Sequence, residues 1–571
     1  MQFQLNGDQV EVADDGCSLL DVLRDGFGLT SVKDGCSPQG QCGCCTVLVD
    51  GEPRVSCVTP ARRIADRRVD TLEGLAPEVA LAWGEAFCAT GGSQCGFCTP
   101  GIVMRLEGLR RKGGDLGERP AVDRALAAHL CRCTGWQTIV EAAAAYGTPT
   151  SDDRDLAAAG RRASIEGGEP QRVAPEIALG RGGFADDGAP DDAVIGVVDA
   201  TSGWQVAPTM AEARRQVGKV QGRRSTIDAT MPVDLPDGDW AVALQTGWVD
   251  PAYLETDASW CAPGGEPANP LANGGAFGAK HTSPVPGDAR RLADELGTPV
   301  RLRWSREDVV RNGPKRPPVA IGLRSDGGGV VRVARTPGLV DRIAAFAPEL
   351  TVEEVDVVGP ATSADARAAG WAEVAVAMAA LDAVPGTPVE ITSPSGGWAS
   401  VTVDEQGAHV RVRCGAVLDA VVLRSYCIGA VHMALGWVRS EGITVDESGV
   451  PLDLSLEGGH GDDPDVLEAR YLVVHIHIGC LHGDLGCCLL GDLHAHHGPG
   501  GVRVVGRRDH PIRDLAREQP RRRQVHRRAE RREIPERRLP VGAARPSVGR
   551  PDGRQLQVIG ADGLGKFRRE W

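Results

Sequence analysis

Eight cysteines fall into two groups whose spacing could hold metal. Cys36-SPQGQ-Cys42-GC-Cys45 is completed by Cys57, and Cys95-GF-Cys98 is completed by Cys131-R-Cys133. Each group supplies four thiolates, the number that a tetrahedral zinc or an iron–sulfur cluster takes. Three ligands in one compact loop, with the fourth 12 residues on, fit a 2Fe–2S site better than zinc. Gly35, Gly40 and Gly43 let such a loop turn tightly and aim N–H groups at sulfur. Cys44, between two ligands, is expected to point away from the metal, and Cys17 and Cys88 to be packed free thiols. Eleven of the 17 cysteines lie in the first 133 residues. That crowding, the odd total and the lack of a basic, then apolar, start favour reduced thiols and a cytoplasmic location over disulfides.

The loop needs a scaffold. Phe3, Leu5, Val10 and Val12 alternate around Asn6-Gly7, a hairpin signal. A short helix is expected over Ser18–Arg24, and strands over Thr46–Val49 and Val55–Val58 about the Asp50-Gly51 turn. The result is a small mixed sheet with the cysteine loop over one edge. Residues 76–147 carry a helical period through Ile102, Leu106 and Leu109, then Ala125, Leu126 and Leu130, then Ile139, Val140, Ala143 and Ala144. Cys95 and Cys98 precede one helix and Cys131 and Cys133 another, so positive helix ends face an anionic centre.

At 571 residues the chain exceeds one ordinary core. Residues 149–190, rich in Asp, Arg, Gly and Pro, read as a linker. Beyond them, β-prone runs at 243–249, 300–304, 330–333 and 410–412 alternate with helical stretches at 288–296, 366–381 and 426–440. The whole reads as an α+β multidomain chain. Asn273-GGAFGA-Lys280 is glycine-dense enough to approach a ligand, with a plain turn as the alternative. Residues 466–571 read as an Arg/His-rich disordered tail: 501–550 hold 16 arginines and no lysine. Before them, His475, His477, Cys480, His482, Cys487, Cys488, His494, His496 and His497 match no compact ligand spacing. A net charge of -14 argues against a specific nucleic-acid partner. No run of about 18 apolar residues predicts a membrane span.

KDGCSPQGQCGCCTV, SQCGFCTPGIVM and HLCRCTGW resemble the signature segments of the iron–sulfur portion of the xanthine dehydrogenase/aldehyde oxidase family of molybdenum hydroxylases. The resemblance covers residues 1–148. It implies a β-grasp ferredoxin-like domain over 1–75, with an outer 2Fe–2S cluster on Cys36, Cys42, Cys45 and Cys57. It also implies a four-helix domain over 76–148, with a cluster nearer molybdenum on Cys95, Cys98, Cys131 and Cys133, and with Gln94 touching the molybdopterin. The first loop has five residues between Cys36 and Cys42 where the family has four. Within 191–465, LETDASWCAPGGE, NGGAFGAK and the stretch from Ala293 to Ala320 resemble a shortened molybdopterin-binding portion. There Gly275, Phe277 and Gly278 would face the cofactor, Ala276 and Ala279 stand where glycines are expected, and Glu255 lies at an acidic turn near the substrate channel. SYCIGAVHMALGWVRSEG, 425–442, resembles a later helix packed around the cofactor, where His432 is expected to have a structural partner.

Together these features predict an oxidoreductase subunit of molybdenum hydroxylase type. A small-molecule substrate would be oxidised at molybdopterin, and electrons would pass through the 95/98/131/133 cluster to the 36/42/45/57 cluster and outward. No FAD-binding segment lies between the two portions, so a flavoprotein or other acceptor is the expected partner, beside a further catalytic subunit or a second copy. The family's arginine-bearing segment and late glutamate base are not found, and no catalytic residue is assigned. The rival reading is a non-catalytic iron–sulfur carrier that docks to a separate catalytic subunit. A zinc-binding interaction module is the third.

Overall fold

The computed structural model describes Met1–Leu452, apart from 15, 37, 150–153, 166–170, 200–201, 218–230, 272–275, 385–386, 395, 405–406, 414, 416 and 440, together with Val502–Val505. The chain begins as a hairpin, β1 (Gln2–Leu5) against β2 (Asp8–Glu11). Asn6 and Gly7 both take positive φ, 51° and 99°, which the two-residue turn requires and Asn-Gly supplies at least strain. β1 runs parallel to β5 (Arg68–Asp70), and β3 (Thr46–Val49) lies antiparallel to both β5 and β4 (Glu52–Val55). The sheet order is β2-β1-β5-β3-β4. Phe3, Leu5, Val47, Leu48, Val49 and Val69 are buried with Leu19, Leu20 and Leu23 of the helical turn across the sheet. That turn starts at a capping box: Ser18 accepts from the Asp21 N–H while the Asp21 carboxylate accepts from the Ser18 N–H. This is a β-grasp domain. The strand expected over Val55–Val58 ends at Val55, and Ser56–Val58 forms a 3-10 turn. The Ser56 hydroxyl donates to the Cys45 carbonyl at 2.9 Å, which turns Cys57 back toward the cysteine loop.

Four helices follow: Pro77–Thr90, Thr99–Arg111, Arg119–Leu126 and Gln137–Ala144. The first three carry proline in their first turn, where its missing N–H leaves no helical bond unmade. The region 149–190 is more than a tether. It holds helices Leu156–Ile165 and Pro175–Ala178 and buries Ile177, Ala178 and Phe184.

The central region is built on three four-stranded sheets. In the first, of order β7-β6-β10-β9, β6 (Val194–Asp199) pairs antiparallel with β7 (Gly203–Ala207) and parallel with β10 (Val300–Arg303), which pairs antiparallel with β9 (Ala258–Cys261). Helix Val285–Leu296 buries Ala289 and Ala293, small enough to lie close to that sheet. The second, β13-β12-β11-β8, joins β8 (Val242–Gln245), β11 (Val319–Leu323), β12 (Gly329–Ala334) and β13 (Leu350–Val355). Helix Trp371–Asp382 packs with this sheet in one apolar core. The third runs β14 (Val389–Thr392), β15 (Trp398–Asp404), β16 (Gly407–Arg413), β17 (Val502–Val505). Helix Ala420–Arg439 returns the chain to the four-helix domain. Among the described residues no helix is long and apolar enough to cross a membrane. The histidine–cysteine patch and the arginine block lie outside the described residues, β17 excepted.

Candidate metal centres

Cys36, Cys42, Cys45 and Cys57 are all buried. The Cys36 thiol meets those of Cys42 and Cys57, which hold it well below the usual thiol range. The Cys57 thiol meets those of Cys36 and Cys45, which push it up. Backbone donors reach the sulfurs: the Gln41 N–H lies 3.4 Å from Cys36 Sγ and the Cys57 N–H 3.5 Å from Cys45 Sγ. Cys44 is also buried; its thiol meets that of Cys42 and lies 3.7 Å from the Cys42 carbonyl, to which it donates.

The second quartet lies between helices. Cys98 sits at the N-terminus of Thr99–Arg111, and Cys131 and Cys133 precede Gln137–Ala144. Cys133 Sγ lies 3.5 Å from Cys95 Sγ, and Cys131 Sγ lies 3.1 Å from Thr134 Oγ1. The Cys98 thiol, with help from Thr134, brings the Cys131 thiol down to about 7 against the pull of burial. Within each quartet the thiols meet pairwise, and among the described residues no three side chains are gathered about one point.

Backbone joins the two loops. The Leu130 N–H donates to the Cys42 carbonyl at 3.0 Å, so a neighbour of Cys131 binds a member of the first quartet. Gly101 packs onto the Gly43 and Cys44 carbonyls so closely that a Cβ there would overlap both. His129 fills the corner, 3.1 Å from Thr46 Oγ1 and against Gly43. Burial drives its pKa to about 3 and keeps the imidazole neutral.

The central region grips both loops through residues that sequence reasoning missed. Arg303 and Arg214 both pair with Asp34, at 2.9 and 2.6 Å. The Arg306 guanidinium donates to the Gly35 carbonyl at 3.3 Å, and Gln39 donates to Glu307 at 2.9 Å. Lys33 pairs with Asp187, and Arg24 with Asp186 and Asp187 at 2.8 and 2.9 Å. At the second quartet, Arg132 forms a two-pronged bond with Glu441. Its place between two ligating cysteines was the one signal of that role in the sequence.

The residues expected to hold molybdopterin fare differently. Gln94 Nε2 donates to the Cys133 carbonyl at 3.0 Å and to Ser425 Oγ at 2.9 Å. Phe277, at φ 54°, is buried in one apolar cluster with Cys133, Tyr426 and Met433. Gly278, at φ 82°, is pressed against the Asp365 carbonyl, and a Cβ there would collide with it. Gly275 lies outside the described residues. Lys280 is already paired, with the Glu255 carboxylate at 2.9 Å and the Pro270 carbonyl at 3.3 Å. The described members of this set meet protein at the Gln94 amide N–H, the Phe277 ring and the Gly278 backbone.

Both quartets fall within stretches that match known families. Residues 3–76 match the 2Fe-2S iron-sulfur cluster binding domain family, and residues 71–144 match the 2Fe-2S binding domain family. The nicotinate dehydrogenase small FeS subunit of Eubacterium barkeri is 38% identical over 138 residues, 24% of this chain and 87% of that protein. An aldehyde oxidoreductase of Megalodesulfovibrio gigas is 40% identical over 142 residues, 24% of this chain but 16% of that protein. The crystal structure of the aldehyde oxidoreductase from Desulfovibrio desulfuricans superposes with a TM-score of 0.50 at 18% identity, over 66% of this chain and 60% of that one. The fold likeness therefore extends past the iron–sulfur domains into the central region. Two quartets of soft thiols, buried but for the half-buried Cys95, with N–H donors at the sulfurs of the first, fit two 2Fe–2S clusters.

Proposed function

The chain belongs, through residues 3–144, to the iron–sulfur-binding portion of the xanthine dehydrogenase/aldehyde oxidase family of molybdenum hydroxylases, and from that premise we propose that it is an oxidoreductase subunit relaying electrons from a molybdopterin donor to an external acceptor. The observation that carries this reading is the pair of thiol quartets, buried but for the half-buried Cys95 and joined backbone to backbone at Leu130 and Cys42. When bound, two 2Fe–2S clusters supply one-electron carriers.

The chain's own residues hold them. We assign Cys36, Cys42, Cys45 and Cys57 to the outer centre and Cys95, Cys98, Cys131 and Cys133 to the inner one. We keep Cys45 rather than Cys44 in the third outer place because Cys45 meets Cys57, which also meets Cys36, whereas the Cys44 thiol meets Cys42 and donates to its carbonyl. The Gln41 and Cys57 N–H groups support the sulfurs, and the first turn of Thr99–Arg111 brings positive backbone charge to Cys98. Burial of all the thiols but that of Cys95 limits the access of water to sulfur.

The molybdopterin donor belongs outside the described residues, in a partner catalytic subunit. Two observations support that placement: Gln94 and Gly278 are engaged by Ser425, Cys133 and Asp365, and a relative matched over 87% of its length is itself named a small FeS subunit. A flavoprotein or another soluble redox protein is the proposed acceptor. The test is metal analysis and EPR on the anaerobically purified chain. About four irons with two distinct reduced-cluster signals, and no molybdenum, are expected. One molybdenum per chain would move the donor into this polypeptide. Zinc without cluster absorbance would overturn the relay altogether.

A further inference from the structure

Arg306 opens helix Arg306–Asn312 and is fully buried. Its Nη2 donates to the carbonyls of Gly35 at 3.3 Å, Leu254 at 3.2 Å and Tyr253. Its Nε and Nη1 have no hydrogen-bond partner, and among the described residues it forms no ion pair. Its charge stands over the Tyr253 ring, 5.7 Å from the centroid, and within electrostatic reach of a second buried cation, Lys315.

The neighbouring cations differ. Arg303 pairs with Asp34 and Asp186, Arg214 with Asp34 and Asp21, and Arg301 with Asp186 and Asp25. The nearby Asp250 serves Lys315 at 3.2 Å, and Asp257 receives the Tyr253 hydroxyl. Glu307, next in the helix, receives Gln39. An unmatched buried charge is strongly unfavourable unless an anion stands near it.

The location supplies the anion. Gly35 immediately precedes Cys36, and a Cβ on Gly35 would lie 3.2 Å from Cys42 Sγ and 3.2 Å from the Leu254 carbonyl. A guanidinium bound to the Gly35 and Leu254 carbonyls thus stands behind the first thiol quartet. We propose that Arg306 is the counter-charge of the outer centre and sets its reduction potential. The proposal rests on the assignment of a 2Fe–2S cluster to Cys36, Cys42, Cys45 and Cys57. Four thiolates give such a cluster net negative charge and a one-electron reduction adds one more, so a fixed cation in a dry site favours the reduced state. The cation belongs to the central region, which therefore tunes the relay as well as gripping it.

Arg306→Gln keeps donors for the carbonyls and removes the charge; Arg306→Lys keeps the charge. Both are compared with the wild-type full chain in dithionite titrations followed by EPR. In Arg306→Gln the reduced-to-oxidised ratio of the outer cluster at fixed poise should fall about tenfold, equivalent to about 59 mV for one electron. The inner cluster should hold its potential, and Arg306→Lys should stay near wild type. Loss of the outer cluster in Arg306→Gln alone also supports a role of charge. An unchanged outer potential in Arg306→Gln, equal shifts at both clusters, or loss of the outer cluster in both variants overturns the proposal. A wild-type chain without an outer-cluster signal would sink the assignment beneath it, and is told apart by the absence of any signal to titrate.

Discussion

Glu441→Gln isolates what the central region contributes to the inner centre. Arg132 stands between Cys131 and Cys133, and its two Nη groups reach the Glu441 carboxylate, Nη2 at 2.6 Å, while Nε donates to the Pro251 carbonyl at 3.2 Å. The side chains are 3% and 1% exposed, so neither charge has water to fall back on. The amide removes the negative charge and one acceptor and leaves the guanidinium buried. Breaking one side of a buried pair costs about 3–5 kcal/mol. At roughly 1.4 kcal/mol per tenfold, opening of the loop from its seat rises by a hundred- to a few thousand-fold. A chain of several modules does not unfold in one step, so a global melting temperature is the wrong readout. Hydrogen exchange of the 130–137 amides reports the local opening directly. The double variant Arg132→Met with Glu441→Met replaces the pair by apolar chains and should restore slow exchange. Less than tenfold acceleration in Glu441→Gln, or a double variant as open as the single, would refute this account of the clamp.

Two further outcomes are expected. Cys45→Ser should halve the iron content by removing the outer cluster, whereas Cys44→Ala should keep both clusters; the reverse pattern in iron analysis and EPR would reassign the third outer ligand. Burial, opposed by Lys280, raises the Glu255 carboxyl from its usual 4.5 to about 7. The folded chain therefore binds this proton more tightly than the unfolded chain, and stability falls as pH climbs from 4.5 to 7, by on the order of 3 kcal/mol. Glu255→Gln should flatten that slope, read as local opening free energies from hydrogen exchange of the 255–261 amides at pH 5 and pH 8, and parallel wild-type and variant slopes would contradict it.

What the sequence made legible was local. Thiol spacing marked both quartets, Asn6-Gly7 marked the first hairpin, and the apolar period marked the helices about Cys95–Cys133. Partners far apart in the chain were not legible: Arg132 and Glu441 are 309 residues apart, and Arg306 and Gly35 are 271 apart. No periodicity encodes such a meeting. Asp186 and Asp187 lie in the stretch that read as a linker, and they meet Arg24, Lys33 and Arg301. Gly278 is the instructive case. Its segment read as a close approach to a ligand or as a plain turn, and the backbone that Gly278 meets is the chain's own Asp365 carbonyl. A demand for close approach does not say what approaches.

The Leu130–Cys42 hydrogen bond bears on how such proteins can be recombined. A cut between the β-grasp and helical domains falls at a natural seam in the sequence but through a shared wall in the molecule. A transplanted first domain would expose the Cys42, Gly43 and Cys44 carbonyls that Leu130 and Gly101 cover, and a transplanted second would strand His129 without its Thr46 contact. Residues 1–148 are thus the smallest exchangeable part, and chimeras joined at 75/76 should express as poorly assembled halves while those joined after 148 carry both motifs intact.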